Sequence, residues 1–285
     1  MHRILILSIA VSAFAASEME SPSLGWLWDQ PTHSLRRLAG LPGALRNEPG
    51  IQLPEGTSAV WISPTQDVAV LALSGDRLER RNLITGESST IDTSKPEQVI
   101  FSFNGKQIGL WSKSKSSFSL WGETPIDLSA KAIALRDDGE ILFLESDGVL
   151  RSSKSAWIGS YGTDAIFSQS DTRLTIATIG AFITLEQNAG KWLQRSRRDD
   201  ERIPSLSQIE LESSASLLSL DSQGQLLRWN LDSGASELLA ARGIEKLQRL
   251  RQAGFYLAEG ESPQILFALS EGQKFYSLPV LEVRQ

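Results

Sequence analysis

A weak internal repeat constrains the fold of this 285-residue chain more than any other feature of its sequence. Each unit has an apolar strand, a turn, a hydrophobic strand, a turn with Gly or Asp, a mixed strand and a last strand. The first strand of the unit recurs at 59–62, 99–101, 132–135, 165–167, 209–211 and 247–250. Because a four-stranded propeller blade takes ~40–45 residues, this spacing predicts an all-β chain built as a β-propeller.

Short apolar runs on either side of turn-forming residues predict a hairpin inside each unit. The clearest examples are 68–73 followed by a run to 83, 140–144 followed by 149–150, and 216–220 followed by 226–229. Gly, Asp, Ser and Asn separate the runs, and these residues tolerate the backbone angles of tight turns. No long helical periodicity interrupts this pattern, so we expect strands and turns throughout.

The two ends of the repeat region decide how many blades to expect. Another hairpin is predicted at 25–29 and 34–38, a surface loop rich in Pro and Gly at 40–57, and a last apolar strand at 278–283. Pairing of the N-terminal and C-terminal strands in one split blade would close the ring and protect its edges. Six internal units and one split blade make seven blades; six remain if the terminal strands only extend an existing blade.

No linker divides the repeats, so residues 17–285 are expected to form a single propeller domain. The alternatives are a β-sandwich, or two small β domains divided near 197–204.

The order of apolar strands and turn residues within the units resembles that of WD40/YVTN-type bacterial β-propellers over residues 58–278. Leu227–Gly234 resembles the end of a WD40 third strand with its Asp/Gly turn, and 82–86 stands at the matching place in the first unit. The repeats are degenerate. The Trp-Asp pair occurs only at Trp28-Asp29, ahead of them, and the Gly-His pair of WD40 repeats does not occur. The resemblance implies a ring of four-stranded blades.

The first residues predict export. Met1-His2-Arg3 is a short positive start, 4–15 is an apolar stretch, and Ala13-Phe14-Ala15 suits a signal peptidase. We therefore predict a signal peptide over 1–15 with cleavage after Ala15 or Ala16, and a periplasmic or extracellular location. The stretch is shorter than the ~20 residues that span a bilayer; a retained N-terminal anchor is the alternative, and no later segment predicts a membrane span.

Composition excludes several kinds of chemistry. The chain has no cysteine, which removes thiolate metal sites and cysteine nucleophiles, and only two histidines, His2 and His33. We therefore expect no metal site, no cofactor and no catalytic histidine. A net charge of -6 without a basic stripe disfavours nucleic-acid binding, which depends on Lys and Arg.

The remaining candidates are loops and aromatic residues. The charged stretch that includes Arg197, Arg198, Asp199 and Asp200 is predicted to be a loop that could bind a partner. Lys113, Lys115 and Asp147, in other turns, are weaker candidates. We expect the eight tryptophans to fill the gaps between blades, which is a structural role and not a binding role. If one pair is exposed, we expect it to be Trp26 and Trp28.

Two functions fit these observations. The first is a non-enzymatic binding or scaffolding module, expected to be a monomer, with a protein or polysaccharide partner. The second is a carboxylate-based enzyme that cleaves a glycan or lactone at the mouth of the channel. The second requires two or more Asp or Glu side chains that converge there, with the pKa of at least one perturbed.

Overall fold

The structure, a computed structural model, describes residues 23–278 except 42–43, 49, 155–156, 171, 214, 252–253, 261–263 and 270–271. The predicted signal peptide lies outside the described residues. Within the described part of the chain, no helix has the length and apolar character needed to span a membrane.

Seven four-stranded antiparallel sheets form the blades of a β-propeller, so seven blades are confirmed over six. Blades 1 to 4 contain β1 Ser23–Asp29, β2 Ser34–Leu41, β3 Ala44–Asn47, β4 Ile51–Gln52; β5 Ala59–Ile62, β6 Val68–Leu73, β7 Arg77–Asn82, β8 Ser88–Asp92; β9 Gln98–Phe101, β10 Ile108–Ser112, β11 Ser117–Leu120, β12 Ile126–Asp127; and β13 Ala132–Leu135, β14 Ile141–Leu144, β15 Val149–Ser152, β16 Gly159–Ser160.

Blades 5 to 7 follow the same order. They contain β17 Ile166–Gln169, β18 Arg173–Thr178, β19 Ala181–Asn188, β20 Lys191–Asp199; β21 Leu206–Leu211, β22 Ser216–Asp221, β23 Leu226–Asn230, β24 Ser236–Ala240; and β25 Ile244–Arg249, β26 Phe255–Gly260, β27 Gln264–Leu269, β28 Gly272–Ser277. All six predicted first strands and the three predicted hairpins are confirmed.

Two turns show that the degenerate repeats are structurally equivalent. In blade 2, the Asn82 Oδ1 atom accepts hydrogen bonds from the backbone N–H groups of Ile84 (2.8 Å) and Thr85 (3.0 Å). In blade 6, Asn230 Oδ1 accepts the same two bonds, from Asp232 (3.0 Å) and Ser233 (2.8 Å). This side-chain capping of a turn explains why Asn recurs at the end of the third strand.

Apolar side chains of neighbouring blades form the core. For example, Trp229 of blade 6 is 1% exposed and packs edge-on against Phe182 of blade 5, with ring centroids 5.4 Å apart. The predicted role of tryptophan between blades holds for Trp192 and Trp111, which are also buried. It fails for Trp157, which is 64% exposed because it lies at the outer edge of blade 4, just before the short β16.

A polar cluster joins blades 4 and 5. The Glu140 carboxylate is buried and accepts hydrogen bonds from Ser152 Oγ, Gln187 Nε2 (3.0 Å) and Trp192 Nε1 (3.2 Å). Arg136 completes the cluster: it donates to Gln187 Oε1 (3.2 Å), and its guanidinium lies 5.0 Å from the centre of the Trp192 ring. Glu140 and Arg136 of blade 4 therefore each have hydrogen-bond partners on blade 5.

Blade 1 differs from the others in its strand arrangement. β3 and β4 pair with two parts of the same edge of β2, so they follow one another along it. These strands lie inside 40–57, which was predicted to be a loop. That prediction was wrong for 40–41, which end β2, and for 44–47 and 51–52, because the free edge of β2 binds the short runs between the Pro and Gly residues.

β1, the first strand of blade 1, also differs in direction from the innermost strands of the other blades. Near the start of β1, the Leu24 carbonyl accepts a hydrogen bond from the N–H of Arg251, just after the end of β25 (2.8 Å). Gln30 and Pro31, after its end, line the same cavity as residues that precede or begin β9 and β25. β1 is therefore antiparallel to the innermost strands of the other blades, and no described strand pairs with its inner edge.

The predicted split blade would use that edge. The predicted closing strand at 278–283 lies outside the described residues except for Leu278, which packs in the cluster that contains Leu24, Phe255 and Leu257. The closing strand therefore stays a prediction.

A glutamine side chain ties together the blades at the two ends of the chain. Gln66 lies in the turn between β5 and β6, is 1% exposed and has a φ of 61°. Its Oε1 atom accepts a hydrogen bond from the N–H of Trp26 (2.7 Å), and its Nε2 donates to the carbonyl of Arg249 (2.8 Å). One amide thus links blades 1, 2 and 7, and its two hydrogen bonds offset the cost of the left-handed backbone of Gln66.

Candidate functional site

The innermost strands surround a large cavity of about 1260 Å³. We call the face of the ring where β5, β9 and β25 begin the upper face, and the face where they end the lower face. The upper mouth is formed by residues before or at the start of these strands and by the turn after β1. Its residues include Gln30, Pro31, Lys95, Glu97, Glu245 and Lys246.

Aromatic side chains form part of the cavity wall. Trp28, Trp61 and Phe101 line the cavity and are half-buried, so each ring has a packed side and an accessible side. Trp61 and Phe101 rest against the apolar cluster between blades 2 and 3, and Trp28 against the cluster between blades 1 and 2. Rigidly held aromatic surface of this kind contributes strongly to binding, because little side-chain entropy is lost.

Charges of both signs accompany the aromatic rings. Of the cavity carboxylates, Asp29 pairs with Arg36 (2.6 Å), Glu259 pairs with Lys246 (3.3 Å), and Glu97 accepts hydrogen bonds from Ser114. The bonds from the Ser114 side chain and backbone lower the pKa of Glu97. The cavity therefore has a mixed-charge rim at its upper mouth and an aromatic wall along its inside.

Glu210 is the cavity carboxyl group with a raised pKa. It lies on β21, inside the channel, where burial by the surrounding protein raises its pKa. A hydrogen bond from Gln208 Nε2 (3.0 Å) and the positive charge of Arg249 act in the opposite direction but do not cancel the effect of burial.

This shift predicts a pH-dependent effect on stability. A raised pKa in the folded state means that Glu210 favours folding below its unfolded pKa, and that this contribution is lost as the pH rises through the folded pKa. We therefore expect Glu210→Gln to raise Tm at pH 8 by about 2 °C, the shift that roughly 0.5–1 kcal/mol produces in a domain of this size. The gain should disappear by about pH 4, below the ordinary pKa of a glutamate.

Thermal melts of the wild type and the variant from pH 4 to 8 measure this difference. Glu245→Gln is the matched control, because Glu245 lines the same cavity but is exposed. Equal gains from both variants at pH 8 would show that the cause is net charge and not the burial of Glu210.

The charged candidates around Arg197 have a different location from the one predicted. Arg197, Arg198 and Asp199 lie in β20, the outer strand of blade 5, and only Asp200 belongs to the following loop. An outer strand carries charged residues readily because both faces meet solvent and charge discourages edge-to-edge pairing. The prediction of a loop at 197–199 was therefore wrong.

These charges pair with one another and with the next blade. Arg197 pairs with Asp199 (2.9 Å), and Arg202 with Asp200 (2.6 Å), which lowers the pKa of Asp200 to about 2. Arg198 donates to the carbonyls of Asp232 (3.1 Å) and Ser233 (2.9 Å) in blade 6. The cluster braces two blades, and its charges are largely satisfied within the protein.

The remaining candidates lie in turns. Lys113 and Lys115 are exposed in the turn between β10 and β11, next to Ser114, which binds Glu97. This places them beside the upper mouth. Asp147 caps the turn between β14 and β15 by accepting a hydrogen bond from the N–H of Val149 (3.0 Å), which is a structural role.

The described residues contain no group of three or more His, Cys, Asp or Glu side chains that could hold a metal ion. His33 is exposed in the turn between β1 and β2, with a φ of 48°. Neither observation supplies a metal or catalytic site.

Sequence reasoning did not single out Trp61, Glu210 or Arg249 as site residues. They lie on the innermost strands of blades 2, 6 and 7, which are far apart in the sequence and meet only around the channel. The available signal was their common position in the first strand of each repeat, because that strand lines the channel of a propeller.

No family model matches the sequence, and no curated protein matches it. Solved structures do match. The C-terminal WD40 domain of Sif2 aligns with a TM-score of 0.59 at 13% identity, covering 90% of this chain and 87% of that one. The β-propeller domain of Myceliophteria thermophila Swd1 aligns with a TM-score of 0.56 at 10% identity, covering 84% and 94%.

The fold is that of a WD40-like β-propeller. A proposed 6-phosphogluconolactonase from Bacteroides uniformis has a similar fold, with a TM-score of 0.57 at 13% identity, covering 91% of this chain and 97% of that one. Binding proteins and enzymes both use this scaffold, so the likeness speaks to architecture, and function has to be argued from the site.

Proposed function

We propose that this protein is an exported, non-enzymatic propeller that binds a segment of a partner protein at the upper mouth of the large cavity. The observation that carries the proposal is the cavity itself, with its aromatic wall and mixed-charge rim. Its volume of about 1260 Å³ exceeds the ~300–1,000 Å³ of ordinary small-molecule sites. Export rests on the sequence of residues 1–16 alone.

The chemistry of the large cavity favours a polypeptide partner. Trp28, Trp61 and Phe101 offer apolar surface to a side chain, while Lys95 and Glu97 at the rim offer opposite charges to a peptide backbone and its polar groups. An enzyme would need a second carboxyl group to act with Glu210. Asp29, Glu97 and Glu259 are each engaged by a neighbouring side chain. Glu245 is exposed near the start of β25, whereas Glu210 lies near the end of β21, so this arrangement does not favour that alternative.

Site-specific photo-crosslinking tests this proposal. A benzophenone amino acid at Gln98, which is exposed and lines the cavity, is expected to capture a protein when the tagged chain is irradiated in cells. The same group at Ile84, which is 62% exposed in the turn after β7, is the control. Mass spectrometry then identifies the captured protein. Adducts of equal abundance at both positions, or carbohydrate adducts alone, would overturn the proposal.

The identified partner allows a direct measurement of affinity. We expect Trp61→Ala to weaken binding by about 30-fold, since buried aromatic anchors contribute roughly 2 kcal/mol or more. Trp157→Ala removes an exposed tryptophan outside the cavity lining and should leave the affinity unchanged. Circular dichroism of both variants checks that the fold is retained.

A further inference from the structure

A second, smaller cavity of about 250 Å³ lies at the lower face. Its lining comes from the ends of the innermost strands and the turns that follow them in blades 3, 5, 6 and 7. The lining residues are Phe103, Ser170, Thr172, Arg173, Leu211, Glu212, Ser213 and Arg249. Three hydroxyl side chains and two arginines make it a polar site.

Arg249 reaches across the channel in this cavity. It ends β25 in blade 7, and its guanidinium carbon lies 5.2 Å from the centre of the Phe103 ring in blade 3. Arg249 lines both cavities, but Phe103 lines only the small one, so the guanidinium end belongs to the lower face. A cation–π contact of this kind leaves the N–H groups of the guanidinium able to donate hydrogen bonds.

The other charges in this lining are satisfied by ion pairs. Glu212 pairs with Arg228 (3.0 Å), and Arg173 pairs with Glu186 (3.4 Å). Among the described residues, no carboxylate lies within 4.0 Å of the Arg249 guanidinium. Glu210 interacts with the charge of Arg249 from the large cavity. Among the described residues that line the small cavity, Arg249 is therefore the cation without an ion-pair partner.

We propose that the small cavity binds an oxyanion, with Arg249 as the main recognition residue. A guanidinium held against an aromatic ring presents a planar set of donors that matches two oxygens of a carboxylate or a phosphate. The hydroxyl groups of Ser170, Thr172 and Ser213 lie in the same lining and can donate to the remaining oxygens. This site is independent of the protein-binding function proposed for the upper mouth.

Calorimetric titration of the purified full chain with inorganic phosphate, and separately with acetate, tests this inference. We expect saturable binding with a Kd of about 1 mM for one or both anions, as suits one small site. Sodium chloride at the same ionic strength should give no saturable heat. The anion that binds more tightly identifies the preferred group.

Variants assign the binding to Arg249. Arg249→Met should weaken anion binding at least tenfold. Arg249→Lys should have an affinity between those of the wild type and Arg249→Met, because an ammonium keeps the charge but lacks the planar set of donors. Phe103→Leu, which keeps Arg249 but removes its stacking surface, should also weaken binding. Arg77→Met, at an exposed arginine at the start of β7, is the control and should bind like the wild type.

Two results would overturn the inference. One is the absence of saturable binding to the wild type at up to about 20 mM of either anion, roughly twenty times the expected Kd. The other is equal affinity in the wild type and in both Arg249→Met and Phe103→Leu. A failed crosslink at Gln98 would leave this inference untouched, because the two sites lie on opposite faces.

Discussion

Trp229→Ala is expected to lower the free energy of unfolding by about 4 kcal/mol, within the usual range for removing a buried aromatic side chain. The ring is 1% exposed and fills the gap between blades 5 and 6 against Phe182. Its Nε1–H also donates to the buried Ser219 Oγ (2.9 Å), which would lose that partner. Denaturant unfolding, followed by circular dichroism, measures the change.

Trp157→Ala is the matched control for this loss. Trp157 is the same residue type, but its side chain is 64% exposed. Replacing it should change stability by no more than about 0.5 kcal/mol. Similar losses in the two variants would mean that Trp229 does not act as the anchor between blades.

Glu140→Ala should destabilise the protein by about 3 kcal/mol, because stranding a buried hydrogen-bond donor costs roughly 1–3 kcal/mol. The replacement leaves Gln187 Nε2 and Trp192 Nε1 without their acceptor at the interface between blades 4 and 5. Glu140→Gln keeps one carbonyl oxygen as an acceptor, so it should lower the free energy of unfolding by less than Glu140→Ala does. The same denaturant measurement compares the two variants.

Glu145→Ala provides the contrast within the same blade. Glu145 pairs with Arg151 at 2.6 Å, but both side chains are about a third exposed, at 32% and 37%. Exposed ion pairs contribute about 0–1 kcal/mol, so its removal should cost much less than that of Glu140. A loss from Glu145→Ala equal to that from Glu140→Ala would contradict the role assigned to the buried cluster.

The sequence predicted the architecture well because the repeat appears in local patterns. Each first strand is a short apolar run, and each hairpin has turn residues such as Asn82 and Asn230 at fixed places. These signals depend only on neighbouring residues, so the strands and turns can be predicted even though the stricter WD40 motifs are missing from the repeats.

Two elements escaped prediction for physical reasons. β20 is an outer strand with mostly exposed side chains, so the alternation of apolar and polar residues that marks a half-buried strand is weak there. Its arginines therefore looked like a binding loop. β3 and β4 are only four and two residues long, and their partner β2 decides their conformation.

The candidate sites were harder to predict than the fold. Arg249 and Phe103 are in contact across the ring although they are 146 residues apart in the sequence. No local sequence pattern indicates such a pair. Glu210 looked like one more polar residue in a strand. Only the closed ring, which turns the first strand of each unit towards a common axis, brings these side chains together.

The amide of Gln66 also sets an order of events during synthesis on the ribosome. Its acceptor, the carbonyl of Arg249, lies 183 residues later in the chain. At about 5–20 residues per second, that carbonyl is made roughly 9 to 37 seconds after Gln66. Until then blade 7 is incomplete and the ring cannot close, so Gln66 Nε2 lacks this acceptor and donates to water instead.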